Sequence, residues 1–172
     1  AAVNAARQAV RRMLAGRAFQ EKGPVSVYAP ANIALVKYWG KRDEALNLPV
    51  TDSLSISLGP LGSHVELARG AGAADAVWLN GKQLSADSSF ARRASAFLDL
   101  FRPAPDFVFD LKARNTVPTA AGFASSASGF AALAKAADAL FGWGLASREL
   151  SILARLGSGS AARSLADGFV EG

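Results

Sequence analysis

The chain has 172 residues and a formal net charge of +5, with no cysteine and a single histidine, His64. Those counts exclude a disulfide framework, a thiol nucleophile, a cysteine-based zinc or iron–sulfur site and a histidine cluster for a transition metal, and they leave a hydrolase triad only if His64 is its base. Apolar residues make up 51% of the sequence, ten Phe and three Trp among them, which is material for a real core in one ordinary domain or in a piece of a larger protein.

An isoelectric point near 10.0 would suit nucleic acid if the cations were gathered on one face. They are gathered in sequence instead. Arg7, Arg11, Arg12, Arg17 and Lys22, opposed only by Glu21, carry four of the five net charges. Residues 1–23 therefore read as a basic helical extension and 24–172 as the globular part, which is nearly neutral. Arginines interrupt every apolar stretch before residue 22, so no secretory signal is read there. The longest uncharged run, 115–134, contains Asn115, Thr116, Pro118, Thr119 and three serines and is too polar for a membrane span. The expectation is a cytoplasmic protein with no nucleic-acid or membrane partner.

In chain order, residues 5–18 carry Ala6, Val10, Met13 and Leu14 at helical spacing, and Gly23-Pro24 closes that helix. Val25 to Ala34 reads as a buried strand, as do Leu54 to Leu58 and Val65 to Leu67. Val77 to Leu79 followed by Asn80-Gly81 is a hairpin signal. Ser88 or Ser89 caps a helix running to Phe101, with Phe90, Ala94, Phe97, Leu98 and Phe101 on one face. Phe107 to Ala113 alternates as a strand. It leads into the small-residue segment 115–129, after which Phe130, Leu133, Ala137, Leu140 and Phe141 mark an amphipathic helix. Ser147 caps a last helix through Leu156, and a second small-residue loop occupies 157–162. Strands and helices in this order predict an α+β fold.

Three stretches carry chemistry, each with a plain structural alternative. Pro118 to Ser128 could cradle a polyphosphate, because a helix N-terminus offers unpaired N–H groups and small residues let oxygens approach them; equally, it could be a glycine turn and a serine cap. Asn32 to Lys41 ends an apolar strand in Lys37, Tyr38, Trp39, Gly40 and Lys41, either a cationic clamp or a lysine-blunted edge. Gly157 to Arg163 offers Ser158, Ser160 and a guanidinium suited to bidentate phosphate contact, or else a turn in which Arg163 pairs with Asp167. Asp43 and Asn47 read as loop structure.

Taken together, APANIALVKYWGKRD with NLP (29–49), PTAAGFASSASGFAAL (118–133) and GSGSAARSL (157–165) resemble the N-terminal half of the diphosphomevalonate decarboxylases, in the superfamily of GHMP kinases. The resemblance covers about residues 26–172. It implies a GHMP-kinase-like N-terminal ATP-binding domain, a mixed β-sheet backed by helices, and the ATP-dependent decarboxylation of (R)-5-diphosphomevalonate to isopentenyl diphosphate in the mevalonate pathway, with ATP and Mg2+ as cofactors. It also implies roles. Tyr38, Lys41, Ser158, Ser160 and Arg163 would hold the substrate, and Pro118, Ala121, Gly122, Ala124, Ser125, Ser126 and Ser128 would hold ATP. Lys37, Ser126 and Arg163 would stand at the reacting centre, with no protein metal ligand.

This sequence departs from the family's pattern at Phe123, where Leu is usual, and at Ala162, where Cys is common. The family's catalytic aspartate matches no position here, and neither Asp43 nor Asp138 takes its place. The chain thus reads as lacking a C-terminal half and, by itself, as inactive. A phosphomevalonate decarboxylase, a mevalonate 3-kinase-like enzyme, or a non-catalytic nucleotide- or diphosphate-binding fragment are the alternatives, and a homodimer is compatible with the resemblance.

Overall fold

Alternating apolar residues in the strands dictate a sheet with one wet face and one dry face, and this is what forms. The computed structural model describes residues 2–36, 41–43, 46–49, 54–116, 125–165 and 169–171. The main sheet contains β1 (Val25–Val36), β4 (Leu54–Arg69), β5 (Ala76–Leu79), β6 (Lys82–Gln83), β7 (Phe109–Asn115) and β8 (Phe169–Glu171), ordered β1-β4-β7-β5-β6, with β8 beside the start of β4. The β5–β7 pair is parallel and the others are antiparallel, so the sheet is mixed as expected. The small ladder of β2 (Lys41–Asp43) and β3 (Leu48–Pro49) is separate.

Val65, Leu67, Leu111 and Ala113 point into the core, while Glu66, Lys112 and Arg114 alternate with them on the outer face. Asn80 and Gly81 both have positive φ (50° and 81°), the conformation a two-residue β5–β6 hairpin requires. The sequence predicts two strands, Leu54 to Leu58 and Val65 to Leu67, with Gly59-Pro60-Leu61-Gly62 between them. In the fold those residues are a bulge within one strand: the register jumps from Pro30↔Gly62 to Asn32↔Ser57, and the Tyr28 hydroxyl donates to the Gly59 carbonyl at 2.5 Å.

Helices α1 (Ala2–Leu14), α2 (Ser89–Leu98), α3 (Ser125–Phe141) and α4 (Ser147–Gly157) complete the fold, with a short 3-10 helix at Ala161–Leu165. α2 starts as the sequence predicts, the Ser88 hydroxyl accepting the Ala91 N–H. α4 does not. Its cap is Ala146, and Ser147 is the first helical residue; the Glu149 carboxylate accepts the Ala146 N–H at 2.8 Å and does the capping. α1 stops at Leu14, well short of Gly23-Pro24, because Gly16 takes φ 74° there.

The expected amphipathic stripe of α3 is also too narrow. Every residue from Ala127 to Ala134 is buried, because the sheet covers one side of this helix while α4 and the 3-10 helix cover another. Small residues make such a central helix feasible, since they let its neighbours approach closely. Phe97, Phe101, Phe107, Phe109, Phe130, Phe141 and Trp143 fill the remaining space, with ring centroids 4.9–6.5 Å apart and mostly tilted or edge-on.

The basic extension is docked onto this core. Val10 and Leu14 are buried, and Phe19 packs on Phe141 and Trp143 at 5.3 Å. Arg17 donates to the Trp143 carbonyl at 2.9 Å and to Glu149 at 2.7 Å.

Candidate functional site

The site is built where α4 ends. Position 157 admits only glycine, because a Cβ there would lie 2.3 Å from Cδ1 of Phe130 on α3. Phe130 cannot yield readily, being packed edge-on against Phe97 (ring centroids 5.6 Å apart) and covered by the Arg93 guanidinium 4.9 Å from its ring centroid. With α4 pressed against α3 at this point, Ser158 leaves the helix in extended conformation. The Ala161 N–H then bonds to the Ser158 carbonyl (2.9 Å) and the Arg163 N–H to the Ser160 carbonyl (3.3 Å), winding the chain into the 3-10 turn. As a result Ser158 and Ser160 sit side by side, Oγ to Oγ 3.3 Å, and Arg163 follows on the same turn, 7% exposed. Gly157→Ala should therefore displace the serines and destabilise the fold by about 1–3 kcal/mol. A thermal melt without a shift would contradict that.

A second block of the sequence meets this one. Asn32 interrupts the apolar strand β1, is 5% exposed, and donates from Nδ2 to the Ser164 hydroxyl at 2.5 Å. A buried amide inside an apolar strand must find a partner, and here the partner is next to Arg163. Asn32 lies in the APANIAL motif without being singled out by sequence, although an amide inside the otherwise apolar run from Ala29 to Val36 was the available signal. Asn32→Ala should lower stability by about 1–3 kcal/mol by orphaning the Ser164 hydroxyl, and Ser164→Ala in the same chain should recover part of it. A double-mutant cycle by denaturant unfolding measures the coupling; additive losses would exclude it.

The third block reaches the same end of the fold through α3. Its helix begins at Ser125, five residues ahead of the first apolar marker, Phe130, and its first turn contains no acidic residue. With no acid in that turn, no carboxylate of the helix's own first turn offsets the partial positive charge of its N-terminus, which fits an anionic ligand. Ser128 is fully buried, and its hydroxyl lies 2.7 Å from that of Ser63, which donates to Asn115 Oδ1 at 2.7 Å. This relay anchors the start of α3 to β4 and β7.

Of the other expected site residues, Lys37, Tyr38, Pro118, Ala121, Gly122 and Ala124 lie outside the described residues, as does Asp167. Lys41, Ser125 and Ser126 are placed by backbone only, on β2 and the first turn of α3. Asp43 and Asn47 serve the loop: Asp43 Oδ1 accepts the Leu46 N–H at 3.1 Å, and Asn47, at φ 52°, donates to the Arg155 carbonyl at 2.9 Å. Asp138 is likewise structural, accepting the Leu145 N–H at 3.0 Å. Among the described residues no group of three His, Asp or Glu is placed to hold a metal ion. No helix among them is long and apolar enough to cross a membrane.

Known proteins are similar to this chain in sequence and in fold. A diphosphomevalonate decarboxylase of Eremothecium gossypii is 42% identical over 159 residues, covering 84% of this chain and 40% of that protein. The crystal structure of mevalonate diphosphate decarboxylase from Staphylococcus aureus superposes with a TM-score of 0.80 at 40% identity, covering 87% of this chain and 45% of that one. A solved structure of MDDEF in complex with MVAPP, AMPPCP and magnesium superposes with a TM-score of 0.75, also at 40% identity, covering 87% and 46%. The chain thus spans less than half the length of these relatives. Residues 29–172 match the diphosphomevalonate decarboxylase-like N-terminal domain, and the chain belongs to that family.

Proposed function

We propose that this chain is the nucleotide- and diphosphate-binding part of an enzyme that uses ATP to decarboxylate (R)-5-diphosphomevalonate, giving isopentenyl diphosphate, carbon dioxide, ADP and phosphate. The carrying observation is the convergence of Ser158, Ser160 and Arg163 on one turn locked to β1 through Asn32 and to α3 through Gly157. A fixed guanidinium beside two hydroxyls suits a substrate that presents both a diphosphate and a carboxylate. The similarity to a structure holding MVAPP, AMPPCP and magnesium supports the same ligands here. ATP would lie against the start of α3, near Ser125 and Ser126 and the Pro118 to Ala124 segment, with magnesium on its phosphates.

ATP supplies the chemistry of a better leaving group, because a tertiary hydroxyl departs poorly until it is phosphorylated. The chain's own residues bind and orient: Tyr38, Lys41, Ser158, Ser160 and Arg163 fix the substrate, Lys37 and Ser126 stand at the reacting group, and Arg163 holds the carboxylate in line for loss of carbon dioxide. The aligning aspartate of the family has no counterpart in this chain, so the isolated chain binds without turnover. A cytoplasmic location is part of the same reading.

The deciding experiment incubates the full-length protein with ATP and either diphosphomevalonate or its monophosphate and measures carbon dioxide and ADP. ADP released without carbon dioxide would identify a kinase and defeat the decarboxylase reading. Calorimetry of the isolated chain with a non-hydrolysable ATP analogue, beside a turnover assay, tests the division of labour; turnover by the chain alone would overturn it.

A further inference from the structure

The family match begins at residue 29 and leaves α1 without an assigned task. Docked on the core, α1 forms one wall of an open trough of about 1020 Å³ whose opposite wall is the turn at 99–105. The floor is apolar: Val10, Leu14 and Phe101 are buried there, and Phe19 stands at the mouth with 45% of its surface exposed. Its rim is cationic. Arg7 and Arg11 are exposed, and neither takes part in an ion pair or hydrogen bond among the described residues. Asp99, the acid on this rim, is occupied by Arg102 at 2.8 Å.

Two arginines at i,i+4 repel each other, and α1 has no acidic residue to relieve them. An unrelieved like-charge pair over an apolar floor is a local conflict that an outside anion would resolve. We propose that this trough is a docking groove for an acidic amphipathic helix of a partner protein. Along α1 the wall from Arg7 to Leu14 is about 10 Å long. Cβ atoms four residues apart on a helix are about 6 Å apart, so the two guanidinium groups match carboxylates at i,i+4 on a facing helix. Leu or Phe side chains between them would enter the floor beside Phe19. The apolar floor of Val10, Leu14 and Phe101 is buried beneath the arginine rim, where side chains projecting from a helix can reach it, which favours a peptide over a membrane.

The test uses fluorescence anisotropy with the full 172-residue chain and a labelled amphipathic peptide carrying Leu along one face and Glu along its edges. Expected are saturable binding that weakens as salt is raised, a loss of about tenfold or more for Arg7→Glu with Arg11→Glu, and a similar loss when the peptide's Glu residues are replaced by Gln. Phe19→Ala should weaken binding without changing its salt dependence. Should the double reversal unfold the chain, Arg7→Gln with Arg11→Gln replaces it. No saturable binding, equal binding to the charge-changed chain, or preference for phosphatidylserine vesicles or duplex DNA over the peptide would overturn the proposal.

Discussion

Arg163→Gln in the full-length enzyme is expected to lower kcat/KM for the decarboxylation by about 10³-fold, with the fold retained. Arg163 is 7% exposed on a 3-10 turn whose geometry is set from three directions: Gly157 against Phe130, Asn32 on Ser164, and the Ser160 carbonyl on its own N–H. Such a guanidinium spends little conformational entropy on binding, because packing has already oriented it. The Gln side chain keeps donors but loses the charge and the fork. Arg163→Lys should recover part of the loss, restoring charge without bidentate geometry. If Arg163 holds the carboxylate as the bond to carbon dioxide breaks, kcat falls more than KM rises; if it only captures the diphosphate, KM carries the change. Steady-state kinetics separate the two, and an unchanged kcat/KM for Arg163→Gln would remove Arg163 from the site.

Asn32→Ala offers a comparison. It touches the same turn but removes no group proposed to meet substrate, so its effect on activity should stay below that of Arg163→Gln. An Asn32→Ala enzyme as impaired as Arg163→Gln would mean that position, not charge, dominates.

The periodicity of Phe107 to Ala113, the Asn80-Gly81 turn and the Ser88 cap were legible because each rests on local chemistry: pleat, positive φ and an orphan N–H. Element limits set by tertiary packing were not. SSASG at 125–129 contains weak helix formers, yet these residues are helical because their size lets α3 sit between the sheet and α4. The β4 bulge hides behind a glycine-proline pair that would signal a turn in any isolated segment. The sites divide similarly. Ser158, Ser160 and Arg163 lie close in sequence, so their hydroxyls and guanidinium mark a candidate phosphate site and the resemblance adds a role; Asn32 and Ser164 are 132 positions apart and only the fold joins them.

The same holds for the ion pair that carries the largest expected effect on stability. Asp75 accepts Arg102 Nη1 at 2.9 Å and Nη2 at 2.7 Å, a bidentate fork, and also the Phe109 N–H at 2.9 Å; Arg102 in turn donates to the Phe107 carbonyl and to Asp99, and its guanidinium lies 5.0 Å from the Phe109 ring centroid. The two side chains are only 10% and 15% exposed. They join the chain just before β5 to the turn after α2 and to the start of β7, so the network ties three segments that no local signal connects.

Asp75→Ala should cost about 3–5 kcal/mol, mostly as the penalty of leaving the Arg102 charge under-compensated, and lower the melting temperature by about 6–20 °C. Asp75→Ala with Arg102→Leu should be less damaging than Asp75→Ala alone, since removing both charges leaves none stranded. Burial pushes the Asp75 carboxyl up, but hydrogen bonds from Arg102, the Phe109 N–H and Ser95, with the Arg102 charge, outweigh it and hold the group below its ordinary value. A depressed carboxyl stabilises the fold in full above its unfolded pKa of about 3.9 and loses that contribution as pH falls through the lower folded value. Melting temperature followed down through pH 4 should therefore drop more steeply for the native chain than for Asp75→Asn, which has no such proton to take up. Parallel acid limbs would show that the fork contributes geometry without net charge stabilisation.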